Sequence, residues 1–250
     1  MNGDFRRRMR AGEALIGTLV GLPSPEVVEI LAHAGFDWLF LDMEHGAFDP
    51  LGAQALLQAA GTDCPCLLRV PSHDEVWIKK ALDIGAAGVI VPQVNTAAQA
   101  ERIVSLCRYP PAGTRGVGIA RAQGYGAGFA DYMQRANDET SVVIQAEHIE
   151  AVANIDAIAK VDGVDAVFIG PYDLSASMGR PGAIADPDVQ AAIDRIIETC
   201  KAAGRALGTL GLSAEVARRQ LQRGCTLMAV GCDSLLLHNA AVEILSAMRR

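Results

Sequence analysis

The feature that most constrains this chain is an alternation repeated eight times. A short, nearly continuous apolar run is followed each time by an amphipathic stretch. The apolar runs are Leu15–Gly21, Trp38–Met43, Cys66–Val70, Gly88–Pro92, Ser141–Ala146, Ala166–Gly170, Ala206–Leu210 and Thr226–Gly231. Helical periodicity fills stretches between them, including Pro25–Ala34, Glu75–Ile84, Ala97–Cys107, Ile149–Lys160, Asp188–Ala203, Ala214–Arg223 and Leu235–Met248. Ser24, Ser72 and Ser213 stand where helices should be capped, and Gly35, Gly85, Gly204 and Gly224 where they should end. Strands without polar alternation are buried on both faces, which implies a parallel sheet covered by helices. Eight such units are the number that closes a ring, so the pattern predicts a (β/α)8 TIM barrel. No GxGxxG follows the first run, as a doubly wound nucleotide-binding sheet would favour. With 250 residues, half of them hydrophobic, one domain over residues 1–250 can bury a sizeable core.

Composition narrows the partners. A net charge of -7 argues against a general nucleic-acid surface, which needs a basic stripe. The one dense basic run, Arg6-Arg7-Arg8 with Arg10, reads as a solvated first turn. No stretch reaches the eighteen or so apolar residues of a membrane span, and no apolar signal core follows the basic residues. The six cysteines lack CxxC spacing and read as reduced core thiols, which makes a cytoplasmic enzyme the expectation. Tyr109–Thr140 is glycine-rich and carries no clear period, so it reads as a long loop, either functional or disordered, whose Arg115–Gly128 part could close over a site, meet a neighbouring subunit or simply be mobile.

In a barrel, chemistry gathers at the C-terminal ends of the strands. Here those ends carry Asp42, Glu44 and His45; Arg69; Gln93; Gln145, Glu147 and His148; and Gly170-Pro171-Tyr172-Asp173. Asp42, Glu44 and His45 could form a metal site by themselves, or the strand could simply have reached the surface. Gln145 and Glu147 are two apart and so point the same way from an extended strand. Glu147 and Asp173, on neighbouring strands, could then face one hard divalent cation. The alternative is that each carboxylate caps a helix or pairs with an arginine. His45 has the best claim among the five histidines to acid–base work. His33, His73 and His238 fall within or near helices, and His148 should point away from Glu147. Arg69 is a fixed cation at an apolar strand end, suited to a carboxylate or developing oxyanion, or to an ion pair with Asp42 or Glu44. Lys79, Lys80, Lys160 and Lys201 are the only lysines, all read on helices, which disfavours Schiff-base chemistry.

The segments LDMEHG, LLRVP, ALDIGAAGVIVPQV, RYPPAGTRGVG, IQAEH and VDGVDAVFIGPYDLSASMG occur in that order. As an ordered set, spanning roughly residues 15 to 235, the chain resembles the HpcH/HpaI-type metal-dependent (class II) aldolases. The resemblance implies cleavage of 4-hydroxy-2-oxo acids into pyruvate, or hydroxypyruvate, plus an aldehyde. It implies Glu147 and Asp173 as ligands of a divalent metal, Mg2+ or Mn2+ with Co2+ as a further option. Gln145 and Arg69 would contact the 2-oxo acid beside Gly170 and Pro171, and Leu210 and Leu212 would lie near the aldehyde. His45 would be the base, oriented by Asp83; around it, the position of Asp42 and Glu44 on the same strand end suits them to hold Arg69 and metal-bound water. It further implies a homo-oligomer, a hexamer, whose C-terminal helix packs on a neighbour. Two rivals remain: a lyase acting on acyl-CoA thioesters, for which the rim offers few lysines, and a non-catalytic barrel that binds a small acid.

Overall fold

The eight apolar runs pair in sequence order. In the computed structural model, which describes residues 2–249, they form β1 Leu15–Val20, β2 Trp38–Asp42, β3 Cys66–Arg69 and β4 Gly88–Val91. The second half supplies β5 Ser141–Ala146, β6 Ala166–Ile169, β7 Ala206–Gly211 and β8 Leu227–Cys232. Every pairing is parallel and β8 returns to β1, so the sheet closes into the expected (β/α)8 barrel.

Residues two apart on a strand share a face, and that rule builds the interior. Trp38 and Phe40 of β2, Leu67 of β3, Val143 of β5 and Phe168 of β6 cluster inside the ring. Phe40 and Phe168 meet edge to face with centroids 5.5 Å apart, across the lumen from strands that are not neighbours. Glycines make room for these rings. A Cβ at Gly208 would stand 2.4 Å from the Phe168 ring, and one at Gly17 2.7 Å from the Trp38 ring. The intervening residues, such as Leu39, Leu68, Val89, Ile144 and Val167, face outward into the helical layer.

Helices α1 Asn2–Arg10, α2 Pro25–His33, α3 Pro50–Ala59, α4 Glu75–Asp83, α5 Ala97–Cys107 and α6 Phe129–Glu139 belong to the first half. Helices α7 Ile149–Ile158, α8 Pro171–Ser177, α9 Pro187–Ala202, α10 Ala214–Arg223 and α11 Asp233–Met248 complete the layer. Ser24 and Ser213 cap as expected, accepting from the Val27 and Val216 amides. The cap of α4 is Asp74 rather than Ser72, whose hydroxyl instead accepts from the Asp74 amide. Gly85 and Gly224 leave their helices at φ of 95° and 102°, the left-handed region a side chain disfavours.

Two expectations fail at the floor, where the strands begin. The arginine-rich start is not a solvated turn but α1, whose Phe5 and Met9 close the bottom of the lumen. Arg6, one position along, is buried and donates from Nε to both carboxylate oxygens of Asp165 at 3.0 and 2.9 Å. The glycine-rich span is not one loop either. It holds a 3-10 turn at Arg121–Gln123 and the helix α6. Because it joins the end of α5 to the start of β5, it lies at the floor and cannot close over the rim of its own barrel. Arg121 instead donates to the Ile84 and Leu57 carbonyls.

Candidate active site

Past the aromatic layer, the same inward face turns polar. Asp42 continues Trp38 and Phe40, Arg69 continues Leu67, Gln145 continues Val143, and Gly170 continues Phe168, all in steps of two. Strand parity therefore delivers each group to one rim. Arg69 is buried and donates from Nε to Asp42 Oδ1 at 2.8 Å and from a terminal nitrogen to Oδ2 at 2.6 Å. This is the planar, two-point match that a guanidinium makes with a carboxylate. Its Nε also lies 3.2 Å from Glu44, and its plane sits 5.2 Å over Phe40. Burial alone would lower the Arg69 pKa, but the bonds to Asp42 and the charges of Asp42, Glu44 and Glu147 leave it raised.

Asp42 does a second job. Its Oδ1 accepts from the Glu44 and His45 amides at 3.0 and 3.3 Å and so folds the turn after β2. Both of its oxygens are thus engaged, Oδ2 by Arg69 and Oδ1 by Arg69 and the turn. No cluster of three or more His, Cys, Asp or Glu side chains fit to hold a metal occurs among the described residues. The His45 ring is exposed at the rim, 4.0 Å from Glu44. Burial pushes the Glu44 carboxyl above its ordinary value, against the pull of Arg69.

Glu147 is the least solvated acid of the rim, 1 % exposed. One oxygen accepts from the Gln93 amide at 2.8 Å and the other contacts the Gln145 side-chain amide. Burial, with Asp173 and Glu44 nearby, pushes its pKa up to about 7 despite the Gln93 hydrogen bond and the Arg69 charge. Asp173 sits in the first turn of α8, exposed. Gln145 Oε1 is buried without a partner among the described residues. A Cβ at Gly170 would stand 2.5 Å from Glu147 Oε2, so only glycine leaves that carboxylate open from this side. A buried carboxylate short of counter-charge, a second acid beside it and an orphaned amide oxygen form a donor set suited to a hard divalent cation.

Leu210 faces the rim from β7, beside a cavity of about 670 Å³ that Pro171, Tyr172, Ile184, Leu212 and Val216 also line. Asp83 is the residue the structure does not bring to His45. It ends α4, and helices run antiparallel to the strands, so it returns to the floor. There it accepts from Arg115 at 3.0 Å. Arg115 is itself wedged between Tyr109 and Tyr132. His148 caps α7 through Nδ1, in keeping with its pointing away from Glu147. The sequence places Gln93 on the rim without a specific role and His73 near a helix end, yet the two hold the peptide that grips Glu147. A left-handed backbone at Gln93 leaves no signature in residue type.

The HpcH/HpaI aldolase/citrate lyase family model matches residues 16–240. The chain belongs to the HpcH/HpaI aldolase/citrate lyase family. Among its relatives, a hydroxypyruvate/pyruvate aldolase of Pseudomonas aeruginosa is 46% identical, covering 96% of this chain and 90% of the relative. A 4-hydroxy-2-oxo-heptane-1,7-dioate aldolase of Shigella sonnei is 43% identical, covering 99% and 95%. Among solved structures, an HpcH/HpaI aldolase/citrate lyase family protein of Burkholderia cenocepacia superposes with a TM-score of 0.96. It is 36% identical, with 99% of this chain and 100% of that one covered. Membership makes the chain a carbon–carbon lyase by family.

Proposed function

We propose that this chain is a class II aldolase that reversibly cleaves 4-hydroxy-2-oxo acids to pyruvate or hydroxypyruvate plus an aldehyde. The observation that carries the reading is the meeting, on one rim, of a buried Arg69–Asp42 pair with the cation-poor Glu147. Glu147 and Asp173 would hold a divalent cation: Mg2+, Mn2+ or Co2+. When bound, it supplies Lewis-acid stabilisation of the charge that develops on the 2-oxo oxygen.

The protein's own groups do the rest. Arg69, held rigid by Asp42, presents its remaining donors to the same developing charge, and no reorganisation is needed at the moment of reaction. Gln145, anchored through its amide to Glu147, positions the 2-oxo acid over Gly170 and Pro171. His45 stands exposed at the rim, where it can take the C4 hydroxyl proton as the C3–C4 bond breaks and return it in the reverse direction. The apolar walls around Leu210 and Leu212 receive the aldehyde's side chain. Asp83, on the floor of its own barrel, orients no rim group within the chain. Five buried, unpaired cysteines fit a reducing cytoplasm. The exposed apolar residues of α11, with Val117 and Ile119 near the floor, fit subunit contacts in a homo-oligomer, for which a hexamer is the expected size.

The test is pyruvate release from a 4-hydroxy-2-oxo acid with Mg2+ or Mn2+, repeated after thorough chelation. Activity should vanish with the cation and return on its addition. Borohydride with pyruvate should trap no lysine adduct, and acyl-CoA thioesters should not be cleaved. Chelation-resistant turnover would overturn the reading.

A further inference from the structure

Gln93 is one of two non-glycine residues with a left-handed backbone among those described, at φ 55°. That region is unfavourable for a side chain and persists only where the surroundings impose it. The other, Tyr125, lies in the floor segment. Gln93 stands at the exit of β4, exposed between buried Pro92 and Val94. Its side chain makes no hydrogen bond among the described residues. Its backbone makes the one that matters, the amide donating to Glu147 Oε1 at 2.8 Å. The next amide, that of Val94, donates to the Gln145 carbonyl at 3.2 Å. Two successive peptide N–H groups thus turn from β4 onto β5, one to a carboxylate and one to a backbone.

The peptide between Pro92 and Gln93 is held at its other end too, because the Pro92 carbonyl accepts from His73 Nε2. His73 lies in the loop after β3, so three consecutive βα units converge on one peptide plane. Aligned hydrogen bonds through a peptide polarise one another, strengthening the donor aimed at the carboxylate. Groups that hydrogen-bond a metal-ligating carboxylate orient it and tune its affinity.

We propose that Gln93 is a positioning residue whose left-handed backbone, clamped by His73, aims the Glu147 carboxylate at the cation site. The backbone conformation carries the role and the amide side chain does not. This rests on Glu147 being a cation ligand, as argued above.

The test is Mn2+ binding to the full chain, stripped of metal and followed by electron paramagnetic resonance without substrate, with Tm measured in parallel. Glu147→Gln tests the parent reading. If wild type binds no Mn2+, or E147Q binds as wild type does, Glu147 is not a ligand and the inference falls with that reading. Otherwise Gln93→Val, β-branched and hostile to positive φ, should weaken binding by about tenfold. Gln93→Gly, at home in that conformation, should bind within about twofold of wild type with no loss of Tm. Q93V binding as tightly as wild type, even with a lowered Tm, would show a merely structural bend and overturn the proposal. Q93G as weak as Q93V would place the role in the side chain and overturn it as well.

Discussion

One carboxylate, that of Asp42, serves both Arg69 and the turn that carries Glu44 and His45. Removing one partner of a buried ion pair typically costs about 3–5 kcal/mol, since the survivor is left charged and unmatched. Asp42→Ala should therefore lower stability by that order in denaturant titrations. Arg69→Ala should also lower kcat/KM by roughly a hundredfold, the usual price of losing a preorganised donor. A pair whose loss left both readouts unchanged would contradict this assignment. Glu147 has its own signature. Its carboxyl titrates near 4.5 when unfolded and at about 7 when folded, so the folded state holds the proton more tightly. The benefit is fully present at low pH and is lost as pH rises from about 4.5 to about 7, on the order of 3 kcal/mol. The Tm of the cation-free protein should accordingly fall between pH 5.5 and 7.5, and Glu147→Gln should flatten that slope. An unaltered slope in E147Q would move the effect to another group.

At the scale of elements, parity explains most of the site. A strand that carries Trp38 and Phe40 inward must carry Asp42 inward as well, so the polar residues at strand ends were legible before any contact was known. The floor was less legible. Three arginines in a row look solvated, but the period of α1 turns Arg6 toward Asp165 while Arg7 stays exposed beside Asp4. Asp165 also accepts from the Val142 amide at 2.9 Å, tying α1 to the starts of β5 and β6. Arg6→Ala should destabilise the fold by about 3–5 kcal/mol and leave kcat of the folded fraction unchanged, as chemical denaturation and steady-state kinetics would report. A large drop in kcat at full folding would mean that floor and rim are coupled. The helix α6 escaped notice because it buries little, with Ala136 its one buried side chain, and because glycines precede it.

At the scale of the whole molecule, α11 is the outlier. Leu237, Ile244, Leu245 and Met248 are more than half exposed, and Leu235, Leu236 and Val242 are exposed beside them. A helix apolar on this much of its surface is held by another chain or is an aggregation hazard. The proposed homo-oligomer accounts for it. Leu237→Asp combined with Ile244→Asp should shift the species seen by light scattering to a smaller assembly while the barrel stays folded by circular dichroism. An unchanged mass would remove α11 from the interface.

The eightfold alternation, the inward parity of each strand and the residue types at the strand ends belong to the sequence alone. They suffice for the barrel and its rim, because periodicity and hydropathy are local properties of the chain, while the ordered motifs carry the resemblance to the family. Tertiary structure decided which ionisable groups face one another. It gave Asp42 to Arg69, left Glu147 without a matching charge, and carried Asp83 to the floor with Arg115. It also imposed a left-handed turn at Gln93 that no residue type announces. Pairing and desolvation depend on groups far apart in sequence, and those terms exist only once the ring has closed.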